Sequence, residues 1–196
     1  MAHPVLEGLN PMQLEAAETI KGPVLILAGA GSGKTSTLTK RIAYMIAKGI
    51  QPYNILAVTF TNKAAKEMKG RIEKLLLAQG GSAQMPMVGT FHSVCLQILF
   101  REAEALGYQK NFLIYDTADS QSLVKDILKQ KGVSKDEIKP QSVQYMISKA
   151  KNELTSASEF AQFTPSSPLE EITIEVYTLY QKRLRQNNAM DFDDII

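Results

Sequence analysis

The sequence predicts an α/β protein in which a parallel sheet carries a glycine-rich loop and a purely helical segment follows. Three observations carry this reading. A wholly apolar run, residues 24–28, leads through glycines into an amphipathic helix, the order expected of a buried parallel strand and its crossover. Strand and helix patterns then alternate as far as Gly107. From about Asp116 onward only helical spacing remains.

Each element has its own signal. Asn10 followed by Pro11 reads as an N-cap with proline at the first helical position, opening a helix to about Ile20. After the glycines, Leu38, Ile42, Met45 and Ile46 keep helical spacing, and Gly49 can end that helix. Residues 55–60 form a second strand. Asn62 caps the next helix, which carries Ala65, Met68, Ile72, Leu75 and Leu76 and closes at Gly80-Gly81. Residues 85–91 are a third strand. A helix with Val94, Leu96, Ile98, Leu99 and Leu106 runs to Gly107. Phe91 is expected to be buried, and Cys95 to be an inert core residue. In the second half, Leu123, Val124, Ile127 and Leu128 mark one helix, and Val143, Met146, Ile147 and Ala150 another. Pro165-Ser166-Ser167-Pro168 marks a loop before a long amphipathic helix with Leu169, Ile172, Val176, Leu179, Tyr180 and Leu184. Residues 1–107 thus read as the α/β part and 108–190 as an all-helical inserted subdomain.

Composition sets the limits. The 196 residues are 44% apolar and 21% charged, enough to bury a core and too few charges for a disordered chain. No apolar run approaches the roughly 20 residues of a membrane span. The first four residues lack a basic-then-apolar signal-peptide pattern. The single cysteine, Cys95, cannot form an internal disulfide and fits a reducing cytoplasm. Membrane, collagen-like and disulfide-framework classes are excluded. The final residues, Asp191-Phe192-Asp193-Asp194-Ile195-Ile196, read as a cut rather than a natural end. Net charge is +2 but uneven, +4 over residues 1–107 and −2 over 108–196. Between Glu18 and Glu67 there is no acidic residue, while Lys21, Lys34, Lys40, Arg41, Lys48, Lys63 and Lys66 fall there. Such a stretch suits a polyanion; a solvated basic face is the alternative.

Ala28-Gly29-Ala30-Gly31-Ser32-Gly33-Lys34-Thr35 stands between the first strand and an amphipathic helix, the context a Walker A motif requires. Only Ala28 departs from the strict form. Backbone N–H groups of residues 30–36 would turn toward phosphate oxygens at a helix N-terminus. Lys34 would reach the β- and γ-phosphates, and Thr35 would give a hydroxyl to Mg²⁺. Asn62-Lys63 is followed by Ala64, so the guanine-reading carboxylate of a GTPase is missing, and ATP is favoured. A Walker B carboxylate should end an apolar strand. The only candidate, Asp191-Phe192-Asp193-Asp194, follows a polar helical stretch and reads instead as an acidic helix N-terminus.

Taken in order and spacing, several segments resemble the UvrD/Rep/PcrA-like superfamily 1 DNA helicases over essentially the whole chain. They are Leu9-Asn10-Pro11-Met12-Gln13, the loop at 28–35, residues 57–65 from Ala57 to Ala65, Gly89-Thr90-Phe91-His92-Ser93, residues 148–154 from Ser148 to Leu154, and Asp191-Phe192-Asp193-Asp194. The resemblance implies an incomplete RecA-like sheet (residues 1–107), its helical insertion (108–190), and a return into the first domain (191–196). It implies that the Walker B strand, the second RecA-like domain and its arginine fingers lie downstream, and that a sheet edge stays open to self-association. It also implies ATP with Mg²⁺, single-stranded and duplex-junction DNA as partners, repair or replication proteins beside them, and 3′→5′ movement.

Residue by residue, the resemblance makes Gln13 the reader of the adenine edge, since an amide donates and accepts at once. Asn10 and Gln13 also fit a capping box, and both roles can coexist. The nucleotide set is Gln13, Ala30, Gly31, Ser32, Gly33, Lys34, Thr35 and Ser36. Ser36 stands where the family usually carries Arg. Phe60 and Asn62 would touch single-stranded DNA, Thr90 and His92 its phosphates, and Lys149, Lys151 and Asn152 would add contacts from the helical part. For Phe60 and Asn62 the alternatives are a core ring and a plain N-cap. Within the class the rival is the helicase part of a RecB/AddA-like nuclease. Outside it stand a small-molecule P-loop kinase, which would need more lid arginines than Arg183 and Arg185, and a non-catalytic DNA-binding module.

Overall fold

The computed structural model describes residues 3–80, 84–134 and 137–196. The chain is mixed α/β and forms two compact units, Met1–Val94 and Cys95–Ile196.

In the first unit, α1 (Pro11–Glu18) begins at the Asn10 cap with proline at its first position, as its sequence dictates. Helix α2 (Lys34–Ala47) follows the glycine loop. Strand β1 (Leu56–Thr59), α3 (Asn62–Leu77) and β2 (Met87–Thr90) make a parallel crossover, with Leu56 opposite Met87 and Thr59 opposite Thr90. The cap of α3 is Thr61, whose hydroxyl accepts from the Ala64 N–H; Asn62, expected as the cap, is the first helical residue. Gly80 ends the last turn at φ 66°, and Gly81 lies outside the described residues. One core joins Leu6, Ala17, Ile42, Ala43, Ile55, Met68, Ile72 and Leu76. Helix α4 (Phe91–Glu102) runs through the division between the units.

Residues 24–28 correct the expectation of a buried strand. They pair with neither strand, and Leu25 and Leu27 are 83% and 87% exposed. A strand is buried on both faces only when neighbouring strands flank it and helices cover it. Among the described residues β1 and β2 form a sheet of two, and no strand pairs with this run.

In the second unit, α5 (Thr117–Gln130), α6 (Pro140–Asn152) and α8 (Pro168–Gln186) pack their apolar stripes together, burying Val124, Ile127, Val143, Ile147, Val176, Tyr180 and Leu184. The short α7 (Ala157–Phe160) adds Phe160 to this core. The unit is not all-helical as expected. Strands β3 (Leu113–Tyr115) and β4 (Ala189–Asp191) pair in parallel, Leu113 opposite Ala189 and Tyr115 opposite Asp191. Three residues are too few to show a period of two. β4 leads directly into α9 (Phe192–Ile195), so a short strand does precede the aspartates.

Candidate functional site

The glycine loop delivers its charge where a phosphate would sit. Gly31 and Gly33 have φ of 76° and 83°, the left-handed region that side chains avoid. Gly33 is the N-cap of α2 and supplies no side-chain cap. The first N–H groups of the helix are therefore left to an anion, and the helix dipole favours one there. Lys34 is exposed and folds back, its Nζ donating to the carbonyls of Gly29 at 2.6 Å and Ala28 at 3.1 Å. Ser32 also donates to Gly29, at 2.7 Å. A phosphate reaching the loop would offer Lys34 a charged acceptor in place of two neutral ones. Thr35 is half-buried in the first turn. Among the described residues no group of three His, Cys, Asp or Glu could hold a metal. A cation here would take the Thr35 hydroxyl and phosphate oxygens, which suits Mg²⁺ better than an all-protein cage.

Gln13 performs two structural tasks at once. Its Oε1 accepts from the Asn10 N–H at 3.0 Å, and Asn10 Oδ1 accepts from the Gln13 N–H at 2.9 Å, a complete capping box. Its Nε2 donates to the Ser32 carbonyl at 2.9 Å. The amide is thus fixed against the loop, with one lone pair and one N–H still free for a ligand. A Cβ on Gly33 would stand 2.8 Å from Gln13 Nε2 and push that amide aside, while the positive φ is what favours glycine there. A cleft of about 530 Å³ beside the loop is lined by Gln13, Thr19, Gly29, Ser32 and Lys34. Gln13→Ala should cost about 1 kcal/mol in urea unfolding, the usual worth of a cap. Gln13→Glu keeps the acceptor for Asn10 but loses the donor to Ser32. It should therefore keep the stability that the capping box contributes and lose that of the Ser32 brace, while Gln13→Ala loses both, which separates the two tasks.

Part of the acid-free stretch has structural work. Arg41 donates to the carbonyls of Ala16 and Thr19 around the end of α1, and Lys40 donates to that of Glu7. Lys48 lies 5.2 Å from the Tyr44 ring. Lys21, Lys63 and Lys66 remain exposed.

The parallel register brings two sequence segments together. Because Thr59 lies opposite Thr90, residues 60–62 and 91–92 leave the same carboxyl end of the sheet, where α/β proteins place ligands. Phe60 is 92% exposed, and its ring is 5.7 Å from that of Phe91. Phe91 was expected in the core but is 41% exposed. It opens a helix just past the strand and so leaves the sheet's alternation. Asn62 and His92 are exposed as well. Thr90 accepts from the Ser93 N–H and so fixes the start of α4. Gly89 leaves room for Ser93, whose Oγ would stand 2.4 Å from any Cβ there.

In the second unit Lys149 is exposed and stands 4.0 Å from Glu153. Lys151, expected to face DNA, does not. Its side chain is 5% exposed, and Nζ donates to Asp191 Oδ2 at 2.7 Å and to Asp194 Oδ1 at 2.8 Å. Tyr180 donates to Asp191 Oδ2 at 2.8 Å. Asp191 and Asp194 complete a capping box at the start of α9. Asn152 donates to Asp193 at 3.2 Å and to the Ser148 carbonyl at 2.7 Å. Burial of Asp191 and partial burial of Asp194 oppose charge on both carboxylates. The Lys151 ammonium, with hydrogen bonds from Lys151 and Tyr180, nevertheless holds Asp191 below the ordinary range. For Asp194 burial prevails, against the pull of Lys151 and aided by the charge of Asp191, and its carboxyl is pushed up. Sequence spacing gave no sign of this cluster, because its members come from α6, α8 and the β4–α9 turn.

A glycine loop opening a helix, a lysine folded over that loop and a parallel crossover in the same unit are features of the P-loop class. Residues 9–196 match the UvrD/REP helicase N-terminal domain, and the chain belongs to that family. It is 47% identical over 197 residues to the ATP-dependent DNA helicase PcrA of Bacillus subtilis (strain 168), covering 100% of this chain and 26% of that protein. The proteins of the same name from Staphylococcus aureus (strain Mu50 / ATCC 700699) and Staphylococcus epidermidis (strain ATCC 35984) are 45% and 46% identical, each over 98% of this chain and 26% of the relative. The chain thus spans about a quarter of the length of the relatives it matches.

Proposed function

We propose that this chain is the ATP-binding and single-strand-binding front of an ATP-dependent DNA helicase that moves 3′→5′ and opens duplexes at junctions during repair or replication. The observation that carries the reading is the pairing, within one unit, of the Gln13-braced phosphate loop with the exposed Phe60–Phe91 rings at the carboxyl end of a parallel sheet. ATP would lie with its base at Gln13 and its phosphates along residues 30–36. Mg²⁺ would join Thr35 to the phosphates, and Lys34 would neutralise the outer ones. Phe60, Asn62, Thr90 and His92 would hold the strand, with Lys149 and Asn152 as contacts of the second unit. Residues 1–107 would be a RecA-like domain, 108–190 its insertion and 191–196 the return. Repair or replication proteins would be further partners, and an exposed sheet edge would be the place where copies of the chain associate. No helix among the described residues is long and apolar enough to cross a membrane; a cytoplasmic location belongs to the proposal.

Fluorescence anisotropy with labelled oligothymidylate tests it. Affinity should fall linearly on a log–log plot against salt, with a slope near −0.7 per phosphate contacted. Phe60→Ala should bind at least about 5-fold more weakly, the low end of one lost base stack. Salt-independent binding, or full affinity in Phe60→Ala, would overturn the reading.

A further inference from the structure

Helix α1 carries Gln13 but has little of its own to hold it in place. Of its eight residues Ala17 alone is buried, and one alanine supplies little apolar area to dock a helix. Its last turn holds no basic residue, and the chain leaves it through Thr19 at φ −73°, not through the left-handed glycine that often closes a helix. The carbonyls at its end therefore need partners from elsewhere.

Helix α2 supplies them. Arg41 Nη1 donates to the carbonyls of Ala16 and Thr19, which sets a positive charge at the negative end of the α1 dipole. The neighbouring Lys40 donates to the Glu7 carbonyl, on the chain leading into α1. Two adjacent residues of α2 thus hold the chain on either side of the Asn10–Gln13 cap. The grip reaches the nucleotide cleft. Ala16 and Thr19, whose carbonyls Arg41 takes, line that cleft beside Gln13. Lys34, Thr37 and Arg41 stand at i, i+3 and i+7 of α2, which is one face of a helix, and Lys34 and Thr37 line the cleft too. The lysine of the phosphate loop and the arginine that holds α1 are therefore about 10 Å apart along one helix.

We propose that Arg41 is a positioning residue for recognition of the nucleotide base. It fixes α1, and with it the Gln13 amide, against the helix that takes the phosphates, and it does so without touching the nucleotide. The bond from Gln13 to the Ser32 carbonyl ties the side chain to the loop but leaves the other end of α1 unheld. Hydrogen bonds to a base edge weaken steeply once misaligned, so a loosened α1 costs base affinity and spares phosphate affinity. The inference rests on the ATP reading above, in which Gln13 meets the base, and adds the residue that holds it there.

Inorganic tripolyphosphate tests this, because it offers phosphates and no base. Competition against a fluorescent ATP analogue, with Mg²⁺ present, reads the affinity for ATP and for tripolyphosphate. Arg41→Gln should bind ATP about 5-fold or more weakly, the low end of a bidentate amide–adenine contact, and tripolyphosphate within about 2-fold of the unaltered chain. Arg41→Lys keeps the charge but not the planar group. It should show the same split at smaller size, and it carries the test where Arg41→Gln does not fold. Adding Arg41→Gln to Gln13→Ala should leave the ratio of the two affinities where Gln13→Ala alone puts it, since the residue acts through Gln13. Equal loss for both ligands would make Arg41 a phosphate contact or a general support of the loop and overturn the proposal. Full ATP affinity in Arg41→Gln, or a further fall of the ratio in the double variant, would overturn it as well and leave the ATP reading standing. An unaltered chain that binds ATP no better than tripolyphosphate would overturn the base reading of Gln13 together with this proposal. One that binds neither would overturn the nucleotide reading itself.

Discussion

Lys34→Ala is expected to weaken nucleotide binding by roughly 100-fold while leaving the fold intact. The magnitude comes from two charge-assisted hydrogen bonds to phosphate, each worth about 1.5–3 kcal/mol. The fold should survive because Lys34 is exposed and bonds only the loop's own carbonyls, at Ala28 and Gly29. These are acceptors that water can satisfy. Titration with a fluorescent ATP analogue reads the affinity, and a urea midpoint reads the fold. Equal affinity in Lys34→Ala would show that the loop does not take phosphate. Lys34→Arg should not rescue fully, because a planar fork is a poor replacement for a compact ammonium in a turn this tight. The unaltered chain should bind ATP without appreciable turnover. Among the described residues the one strand ending in a carboxylate is β4, and Asp191 is already engaged by Lys151, Tyr180 and the start of α9.

What the sequence revealed, and what it concealed, follows from the range of the interactions involved. The glycine loop, the Asn10–Gln13 capping box and the amphipathic stripes of α5, α6 and α8 are local patterns. Each is set by spacing within a few residues, so each was legible. Residues 24–28 were legible as apolar and extended, yet burial depends on flanking strands that composition does not supply. The exposure of Phe91 turned on where β2 stops and α4 starts, a boundary of one residue. β3 and β4 were invisible because three-residue strands pair across more than seventy positions. Lys151 misled for a related reason. A lysine within Ser148–Leu154 looks like surface charge unless its partners forty residues away are known.

Lys151→Met should be the most destabilising single change in the second unit, by about 3–5 kcal/mol at neutral pH. Methionine matches the length of the chain but leaves Asp191 and Asp194 facing each other without a counter-ion in a buried site. Against a typical total of about 5–15 kcal/mol, such a loss can unfold the unit, so single carboxylate changes accompany it. Asp191→Asn should cost more than Asp194→Asn. The charge of Asp191 is favoured in the folded state and that of Asp194 is disfavoured. The pH dependence follows from the same directions. Asp191, depressed on folding, contributes stability that is present above its unfolded pKa and is lost as pH falls through its folded one. Asp194, raised on folding, contributes the opposite slope: its share is full below the unfolded pKa and is lost as pH rises through the folded one. In Lys151→Met both carboxyls lose their cation and both rise. The deficit relative to wild type should therefore shrink on acidification from pH 7 toward 5, as protons replace the missing ammonium. Adding Asp194→Asn to Lys151→Met should recover part of the loss, since only one buried charge then remains unpaired. Urea unfolding at the two pH values checks all of this. A deficit that is constant with pH, or no recovery in the double variant, would mean that Lys151 acts through packing on Tyr180, 5.2 Å away, and not through its charge.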